Sequence, residues 1–255
     1  MNAASGNPEQ GGLRLSPFAY LEGPKSRSSE LGFTIKVMLQ FLKGFRKLHF
    51  VGPCVTVFGS ARYEPGHHYY ELAREAGRTI AGMGLTVMTG GGPGIMEGAN
   101  RGAFEAGGES IGCNIKLPKE QDPNPYLHDW ICLDHFFVRK VLLLKYSYAF
   151  FVLPGGWGTM DELFETLTLV QTGIIHNFPV VIMGSEYYGT LRMWIEQMVS
   201  EGTISASDLR YLLHTDDFEE ASAHIEKFIK SNYKIRERRL RRWWLGESHR
   251  RHKRR

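Results

Sequence analysis

One stretch near the middle of the chain, residues 153–162, combines residue types that bind an anion with a carboxylate that could act on the bound molecule. It reads Leu-Pro-Gly-Gly-Trp-Gly-Thr-Met-Asp-Glu. The apolar run at residues 148–152 predicts a buried strand before it, and residues 163–171 predict a helix after it. Glycines in such a turn let backbone N–H groups approach a ligand, and a helix N-terminus favours an anion. The stretch therefore predicts a phosphate-binding turn.

Two side chains of this stretch could extend its chemistry. Thr159 is predicted to cap the helix and to offer its hydroxyl to the anion. Glu162, one turn into the helix, is unsuited to binding a phosphate, so we expect it to act on another part of a phosphorylated ligand. A capping box between Thr159 and Glu162 would also explain their spacing. It would not explain the Pro-Gly-Gly-x-Gly run before them.

A second glycine turn, residues 90–94, has the sequence Gly-Gly-Gly-Pro-Gly and follows a predicted strand. It differs from the dinucleotide-binding fingerprint and belongs to the second strand of the chain. Five small or rigid residues exceed the needs of one tight turn, so we expect the backbone to approach a ligand closely here. Glu97, in the first turn of the next helix, either complements the helix dipole or contacts the substrate.

The third candidate is the pair Arg139-Lys140, which is predicted to open a helix at residues 137–147. Consecutive basic residues at the start of a helix oppose its dipole. A bound phosphate or a buried carboxylate would compensate for that. The alternative is a solvated basic pair.

The apolar patterns predict strands alternating with helices, which indicates an α/β fold with a Rossmann-like, doubly wound parallel sheet in a single domain. The predicted strands cover residues 54–59, 85–89, 110–115, 130–133, 148–152 and 179–183. The predicted helices cover residues 30–50, 69–83, 95–106, 137–147, 163–171 and 188–199, and the segments 211–214 and 219–229 close the domain. Ligands of such sheets bind beyond the carboxyl ends of the strands. The turns after Phe58, Thr89 and Leu153 are expected to meet there.

Composition divides the 255 residues into three parts. Residues 1–28, rich in Gly, Pro and Ser, are predicted to be disordered, and residues 29–232 form the domain, including its N-terminal helix. The tail, residues 233–255, is basic and contains two Trp. This composition would suit contact with RNA, an anionic surface or a partner, and a solvated disordered end is the alternative.

The chain lacks an N-terminal apolar segment typical of a signal peptide, and it has no apolar run long enough to span a bilayer. Its three cysteines, Cys54, Cys113 and Cys132, show no metal-binding spacing. Cys54 and Cys113 lie in predicted strands, so buried reduced thiols are expected. These features predict a cytoplasmic protein.

Residues 90–97, Arg139-Lys140 and residues 154–162 together resemble the LOG (Lonely Guy) family, and the resemblance runs from about residue 50 to residue 230. It implies hydrolysis of the N-glycosidic bond of cytokinin riboside 5′-monophosphates or, as in bacterial relatives, of AMP. It also implies homodimers or larger homo-oligomers. Plant members hold a substrate-binding Glu in the loop before the Arg-Lys pair, and residues 122–129 have no match for it, which favours AMP.

The resemblance implies that Arg139 and Glu162 are catalytic. With the turns described above, it completes a predicted substrate-binding set of Ser60, Gly91, Gly92, Gly94, Glu97, Lys140, Gly155, Gly156, Gly158, Thr159 and Thr168. Glycosidic cleavage builds positive charge on the ribose, which a carboxylate can stabilise while it activates water. Arg139 would neutralise the leaving base or position the ribose. This chemistry requires neither a metal nor a cofactor.

Two alternatives stay open at this point. Related folds bind nucleotides or molybdenum cofactor as carriers, without cleaving them, and retention of both Arg139 and Glu162 favours the enzyme. A pyridoxal-phosphate lysine decarboxylase would need a Schiff-base lysine, and neither glycine turn contains one.

Overall fold

The computed structural model describes residues 23–117 and 122–232 and contains one sheet of seven parallel strands in the order β4-β3-β2-β1-β5-β6-β7. The strands are β1 (Cys54–Phe58), β2 (Thr86–Thr89), β3 (Ser110–Ile115), β4 (Asp129–Leu133), β5 (Ser147–Val152), β6 (Val180–Ile182) and β7 (Leu212–His214). The helices are α1 (Arg27–Leu48), α2 (His68–Gly82), α3 (Ile95–Glu105), α4 (Phe136–Tyr146), α5 (Trp157–Gln171), α6 (Ser185–Ser200) and α7 (Phe218–Asn232). The predicted α/β class and parallel sheet are confirmed.

The order of the strands reverses between β1 and β5. The chain runs outward from β1 to β4, and α4 then returns it to the other side of β1. The two strands end together, since Phe58 is in register with Val152. Beyond them, the Ser60 N–H donates to the Pro154 carbonyl at 3.0 Å. This reversal opens a crevice at the carboxyl edge of the sheet, between the turns that follow β1 and β5.

Two apolar layers cover the faces of the sheet. The central strands β1, β2 and β5 are almost completely buried, as their continuous apolar runs predicted. One layer includes Phe58, Met88, Phe150, Leu142 and Leu163, and the other includes Val57, Phe151, Ile80, Ile95 and Ile225. Leu142 and Leu163 come from α4 and α5, so this packing fixes the two helices that contain Arg139 and Glu162.

Helices α2 and α3 pack backbone against backbone. A Cβ atom at Gly77 would lie 2.0 Å from the Ala99 carbonyl oxygen, and one at Gly102 would lie 1.8 Å from that of Arg74. Gly98 approaches α2 in the same way. Any side chain at these positions would push the helices apart. The contact fixes α3, which begins directly after the second glycine turn.

The start of α5 corrects the sequence prediction. The helix begins at Trp157 and its N-cap is Gly156, six residues before the predicted start. The Gly156 carbonyl accepts the N–H groups of Thr159 and Met160 at 3.0 and 3.1 Å, so the motif itself forms the first turn. Thr159 is therefore inside the helix, and the predicted Thr159 cap and its capping box with Glu162 were wrong.

The predicted position of the basic pair also changes. Arg139 and Lys140 are the fourth and fifth residues of α4, which begins at Phe136, so they do not open the helix. The helix begins one residue before its predicted start, so their charges lie one residue further from its N-terminus than predicted.

The N-terminal helix α1 begins three residues before its predicted start, with Ser26 as N-cap. Gln40 anchors it by donating to Asp134 and by accepting the Asp134 N–H. Several of its apolar side chains stay exposed, namely Leu31, Ile35, Met38, Leu39 and Leu42. Residues 1–22, most of the predicted disordered segment, and the basic tail at 233–255 lie outside the described residues.

Cys54 and Cys113 are free and buried, as predicted, and burial raises the pKa of both thiols. Cys132 is free and exposed. Among the described helices, none combines the length and the apolar character needed to cross a membrane.

Candidate active site

A cavity of about 610 Å³ lies in the crevice between the ends of β1 and β5. Its volume is typical of sites for small molecules, about 300–1,000 Å³. The turn after β1, the start of α5 and single residues of α3, α4 and α6 line it. The lining residues are Phe58, Gly59, Ser60, Ala61, Arg62, Tyr63, Met96, Arg139, Gly155, Gly156, Trp157, Gly158, Thr159, Glu162 and Tyr187.

Glu162 lies in the second turn of α5, and the residue is only 8% exposed. Burial raises the pKa of its carboxyl to about 7, and the positive charges of Arg139 and Lys140 act against that rise. At neutral pH the group therefore exists in both the charged and the protonated form. A carboxyl with such a pKa is suited to accept or donate a proton in catalysis.

Arg139 reaches the same cavity from α4. Its Nε donates to the Cys113 carbonyl of β3 at 3.0 Å, and this hydrogen bond fixes the guanidinium beside that strand. A Cβ atom at Gly90 would lie 2.2 Å from a terminal guanidinium nitrogen. Gly90 therefore leaves the space that the Arg139 side chain fills. The structure brings Arg139 and Glu162 to the same cavity, and their catalytic roles stay a prediction.

The turn after β5 presents a series of backbone donors. Within residues 23–117 and 122–232, the N–H groups of residues 156–158 have no hydrogen-bond acceptor, whereas the Gly155 N–H donates to the Tyr188 hydroxyl. A Cβ atom at Gly156 or Gly158 would meet nothing within 4 Å, and neither residue has a positive φ. The fold therefore does not require glycine at these two positions. Glycine at these positions leaves room for a ligand to approach the backbone closely.

Gly155 is different, because a Cβ atom there would lie 2.1 Å from Oγ1 of Thr159. That glycine allows the side chain of Thr159, which also lines the cavity, to fold back against the turn. Across the crevice, the Ser60 hydroxyl accepts the Arg62 N–H at 3.1 Å, which shapes the turn after β1. Ser60, Gly155, Gly156, Gly158 and Thr159 thus line one cavity.

The second glycine turn lies beside the cavity but does not line it. Gly91 and Gly94 have φ angles of +75° and +70°, which favour glycine. A Cβ atom at Gly94 would lie 2.4 Å from the Ser60 carbonyl oxygen, which also accepts the Ile95 N–H. The Gly92 carbonyl accepts from the side-chain amide of Asn124. These contacts give the turn a structural role, as a support for the turn after β1.

Three other residues of the predicted binding set also lie outside the cavity lining. Glu97 accepts a hydrogen bond from the Tyr70 hydroxyl at 3.0 Å. Thr168 is exposed, and its hydroxyl donates to the Phe164 carbonyl. Substrate contacts of the whole predicted set stay predictions, and Gly91, Gly92, Gly94, Glu97, Lys140 and Thr168 lie outside the cavity lining.

Lys140 joins α4 to α5. Its ammonium lies 3.0 Å from the Asp161 carboxylate and 2.9 Å from that of Glu165. Both of these carboxylates are exposed. The buried carboxylate expected beside the basic pair is that of Glu162, on which the charges of Arg139 and Lys140 act. Because Lys140 and Asp161 adjoin Arg139 and Glu162 in the sequence, this ion pair holds the two helices together beside the proposed catalytic pair.

Sequence reasoning missed Tyr187 and Arg62. Tyr187 comes from the first turn of α6, and its hydroxyl donates to the Gly155 carbonyl at 2.9 Å. Arg62 is exposed at the cavity edge. Trp157, within the motif, is 92% exposed and also lines the cavity. The only available signal was position, since these residues all follow strands at the same edge of the sheet.

Comparison with known proteins supports the motif assignment. A family model described as "Possible lysine decarboxylase" matches residues 96–225, about half of the chain. A cytokinin riboside 5′-monophosphate phosphoribohydrolase of Arabidopsis thaliana is 30% identical over 66% of this chain and 79% of its own length. The enzyme of that name from Rhodococcoides fascians is 34% identical over 67% of this chain and 88% of its own length.

Solved structures confirm the fold. A molybdenum cofactor binding protein from Rippkaea orientalis superposes with a TM-score of 0.54 at 21% identity, over 70% of this chain and 98% of that one. A Moco carrier protein from Chlamydomonas reinhardtii gives 0.53 at 22% identity, over 71% and 99% of the two chains. At this identity the likeness extends to the fold alone. The family model, the curated relatives and the three motifs agree, and the chain belongs to the LOG family.

Proposed function

We propose that the protein hydrolyses the N-glycosidic bond of a nucleoside 5′-monophosphate and releases the free base and ribose 5-phosphate. The observation that supports this best is the buried carboxyl of Glu162, with a pKa of about 7, in the same cavity as Arg139 and a turn of free N–H donors. The curated relatives are named for this reaction on cytokinin riboside 5′-monophosphates.

In this proposal Glu162 acts in its charged, carboxylate form. As the bond to the base stretches, positive charge develops on the ribose ring, and a carboxylate beside C1′ stabilises it. The same carboxylate orients the attacking water and takes its proton, and a pKa near neutrality suits that transfer. Arg139 neutralises the charge that develops on the leaving base or holds the ribose against the carboxylate.

The 5′-phosphate is held by the backbone N–H groups of residues 156–158 at the start of α5. Hydrogen bonds from N–H groups to an anion are among the stronger ones, and the positive end of the helix dipole adds to them. Binding of this remote group positions C1′ against Glu162. A nucleoside that lacks the phosphate should therefore lose turnover as well as affinity.

We further propose AMP as the substrate, because residues 122–129 have no match for the substrate-binding Glu of plant members. A lysine decarboxylase, which the description of the family model mentions, finds no support in the cavity. None of the described lining residues is a lysine, and Lys140 is paired with Asp161 and Glu165.

The test is to incubate the purified full-length protein with AMP, other nucleoside monophosphates, a cytokinin riboside monophosphate and adenosine, in the presence of EDTA, and to measure free base by chromatography. We expect adenine from AMP and little from adenosine. Glu162→Gln is expected to cost on the order of 100-fold in rate. The matched control is Glu165→Gln, one turn along the same helix. Nucleotide that is bound but stays intact would indicate a carrier.

A further inference from the structure

The first turn of α6 rests on the turn after β5 through three contacts. Gly184, with φ +94°, lies against the Pro154 ring, since a Cβ atom there would be 2.6 Å from Cγ of the proline. The Tyr188 hydroxyl donates to the Leu153 carbonyl at 2.8 Å, and the Tyr187 hydroxyl donates to the Gly155 carbonyl at 2.9 Å. All three contacts fall on residues 153–155, directly before the proposed phosphate donors.

The start of α6 is itself fixed from the other side. The Asp216 carboxylate, in the turn after β7, accepts the N–H groups of Gly184 and Ser185. These hydrogen bonds lower the pKa of Asp216, although burial acts in the opposite direction. The tyrosines therefore extend from a capped helix end whose position does not depend on the cavity.

The two tyrosine hydrogen bonds have different consequences for the backbone. In a trans peptide the carbonyl and the following N–H point in opposite directions. A carbonyl of Gly155 held by Tyr187 therefore fixes the direction of the Gly156 N–H, away from the phenol. The carbonyl of Leu153 held by Tyr188 fixes no donor, because Pro154 has no N–H. The Tyr188 hydroxyl also accepts the Gly155 N–H, so that group is not among the proposed phosphate donors.

If the Tyr187 hydroxyl bound an anion directly, Tyr187 would be a binding residue. A phenol has one hydrogen, and Tyr187 donates it to Gly155, so the hydroxyl has none left to donate to a phosphate. The residue lines the cavity and is 45% exposed, whereas Tyr188 is 2% exposed. Its hydroxyl contacts the Gly155–Gly156 peptide, so an influence on a bound anion would pass through that peptide.

We propose that Tyr187 is a positioning residue for anion recognition, whose hydroxyl holds the Gly155–Gly156 peptide so that the Gly156 N–H faces the bound phosphate. Identifying that anion as the 5′-phosphate of a nucleotide rests on the proposed function. The orientation of the Gly156 N–H by Tyr187 does not rest on it.

The test compares Tyr187→Phe with Tyr188→Phe in the full-length protein. Calorimetry gives the Kd for inorganic phosphate, steady-state kinetics gives kcat/KM for AMP and adenosine, and thermal unfolding gives Tm. Loss of one oriented neutral hydrogen bond is worth roughly a fivefold change. We expect Tyr187→Phe to raise the Kd for phosphate and to lower kcat/KM for AMP about fivefold, with kcat/KM for adenosine unchanged. Tyr188→Phe should lower Tm and leave the Kd for phosphate within about twofold.

Wild-type affinity for phosphate in Tyr187→Phe would overturn the proposal. Equal losses of phosphate affinity in the two variants would also overturn it, because the bonds would then act only through the packing of α6. The proposal would also be overturned if the wild-type protein bound no phosphate. If the wild type cleaves no nucleotide but Tyr187→Phe alone weakens phosphate binding, the proposed function fails and the positioning role stands.

Discussion

Replacing Glu162 by Gln should make the protein more stable while it removes activity. In the folded state, burial raises the pKa of this carboxyl from 4.5 to about 7. Folding therefore favours the protonated form. Its contribution to stability is fully present below about pH 4.5 and is lost as the pH rises to about 7. Gln resembles the neutral acid in shape and stays neutral at every pH.

The size of the effect follows from that rise in pKa. Each pKa unit corresponds to about 1.36 kcal/mol, so the ionised, buried Glu162 costs the folded state on the order of 3 kcal/mol above pH 7. For a chain of this length, about 2–4 °C in Tm accompanies each kcal/mol. The Gln variant should therefore melt roughly 6–12 °C above the wild type at pH 8. At pH 4 the two proteins should have nearly equal stability.

Urea unfolding of both proteins between pH 4 and pH 9 measures this difference. The control is Glu165→Gln, because Glu165 is exposed and paired with Lys140. An exposed pair contributes at most about 1 kcal/mol, so this variant should gain no stability as the pH rises. Equal stability of wild type and Glu162→Gln at pH 8 would refute the reasoning, because ionised Glu162 would then not destabilise the folded state.

Four further outcomes are expected. Arg139→Ala should abolish turnover, and Arg139→Lys should restore it only in part, because a point charge lacks the planar fork; steady-state kinetics decides. Gly90→Ala should displace the Arg139 guanidinium and lower kcat on the order of 100-fold; an unchanged kcat in this variant would show that the guanidinium tolerates displacement. Gly158→Ala should stabilise α5 by about 0.5–1 kcal/mol and weaken nucleotide binding, so calorimetry that shows wild-type affinity would contradict close approach of the ligand. Light scattering should show at least a dimer, because apolar side chains of α1 are exposed, and a particle of 29 kDa would exclude it.

The fold was predictable because parallel strands buried on both faces appear in the sequence as unbroken apolar runs. The six strands assigned from the sequence lie within one residue of their predicted positions, and residues 212–214 of the closing segment form β7. The start of α5 was not predictable in the same way, since Gly156 and Gly158 have low helix propensity and suggested a turn. Tertiary contacts and the Gly156 cap overrode that propensity.

The candidate site was predictable where residues follow strands directly. Arg139, Glu162 and the glycines after β5 meet because the sheet gathers the carboxyl ends of its strands at one edge. The role of Gly90 beside Arg139 was not predictable, because it depends on where a side chain from α4 ends. Tyr187 was missed for the same reason, since its bond to Gly155 joins two successive βα units.

The close contact between α2 and α3 affects how a mutational survey of this protein should be interpreted. Gly77, Gly98 and Gly102 admit no Cβ atom, although all three are absent from the residues that line the described cavity. In a growth-based screen, substitutions there would be depleted as strongly as substitutions at Glu162, and the three positions could be mistaken for a second functional site. Measuring cellular protein abundance alongside growth separates the two groups. Glycine variants in the helix contact would lower abundance, whereas Glu162→Gln would leave an abundant but inactive protein.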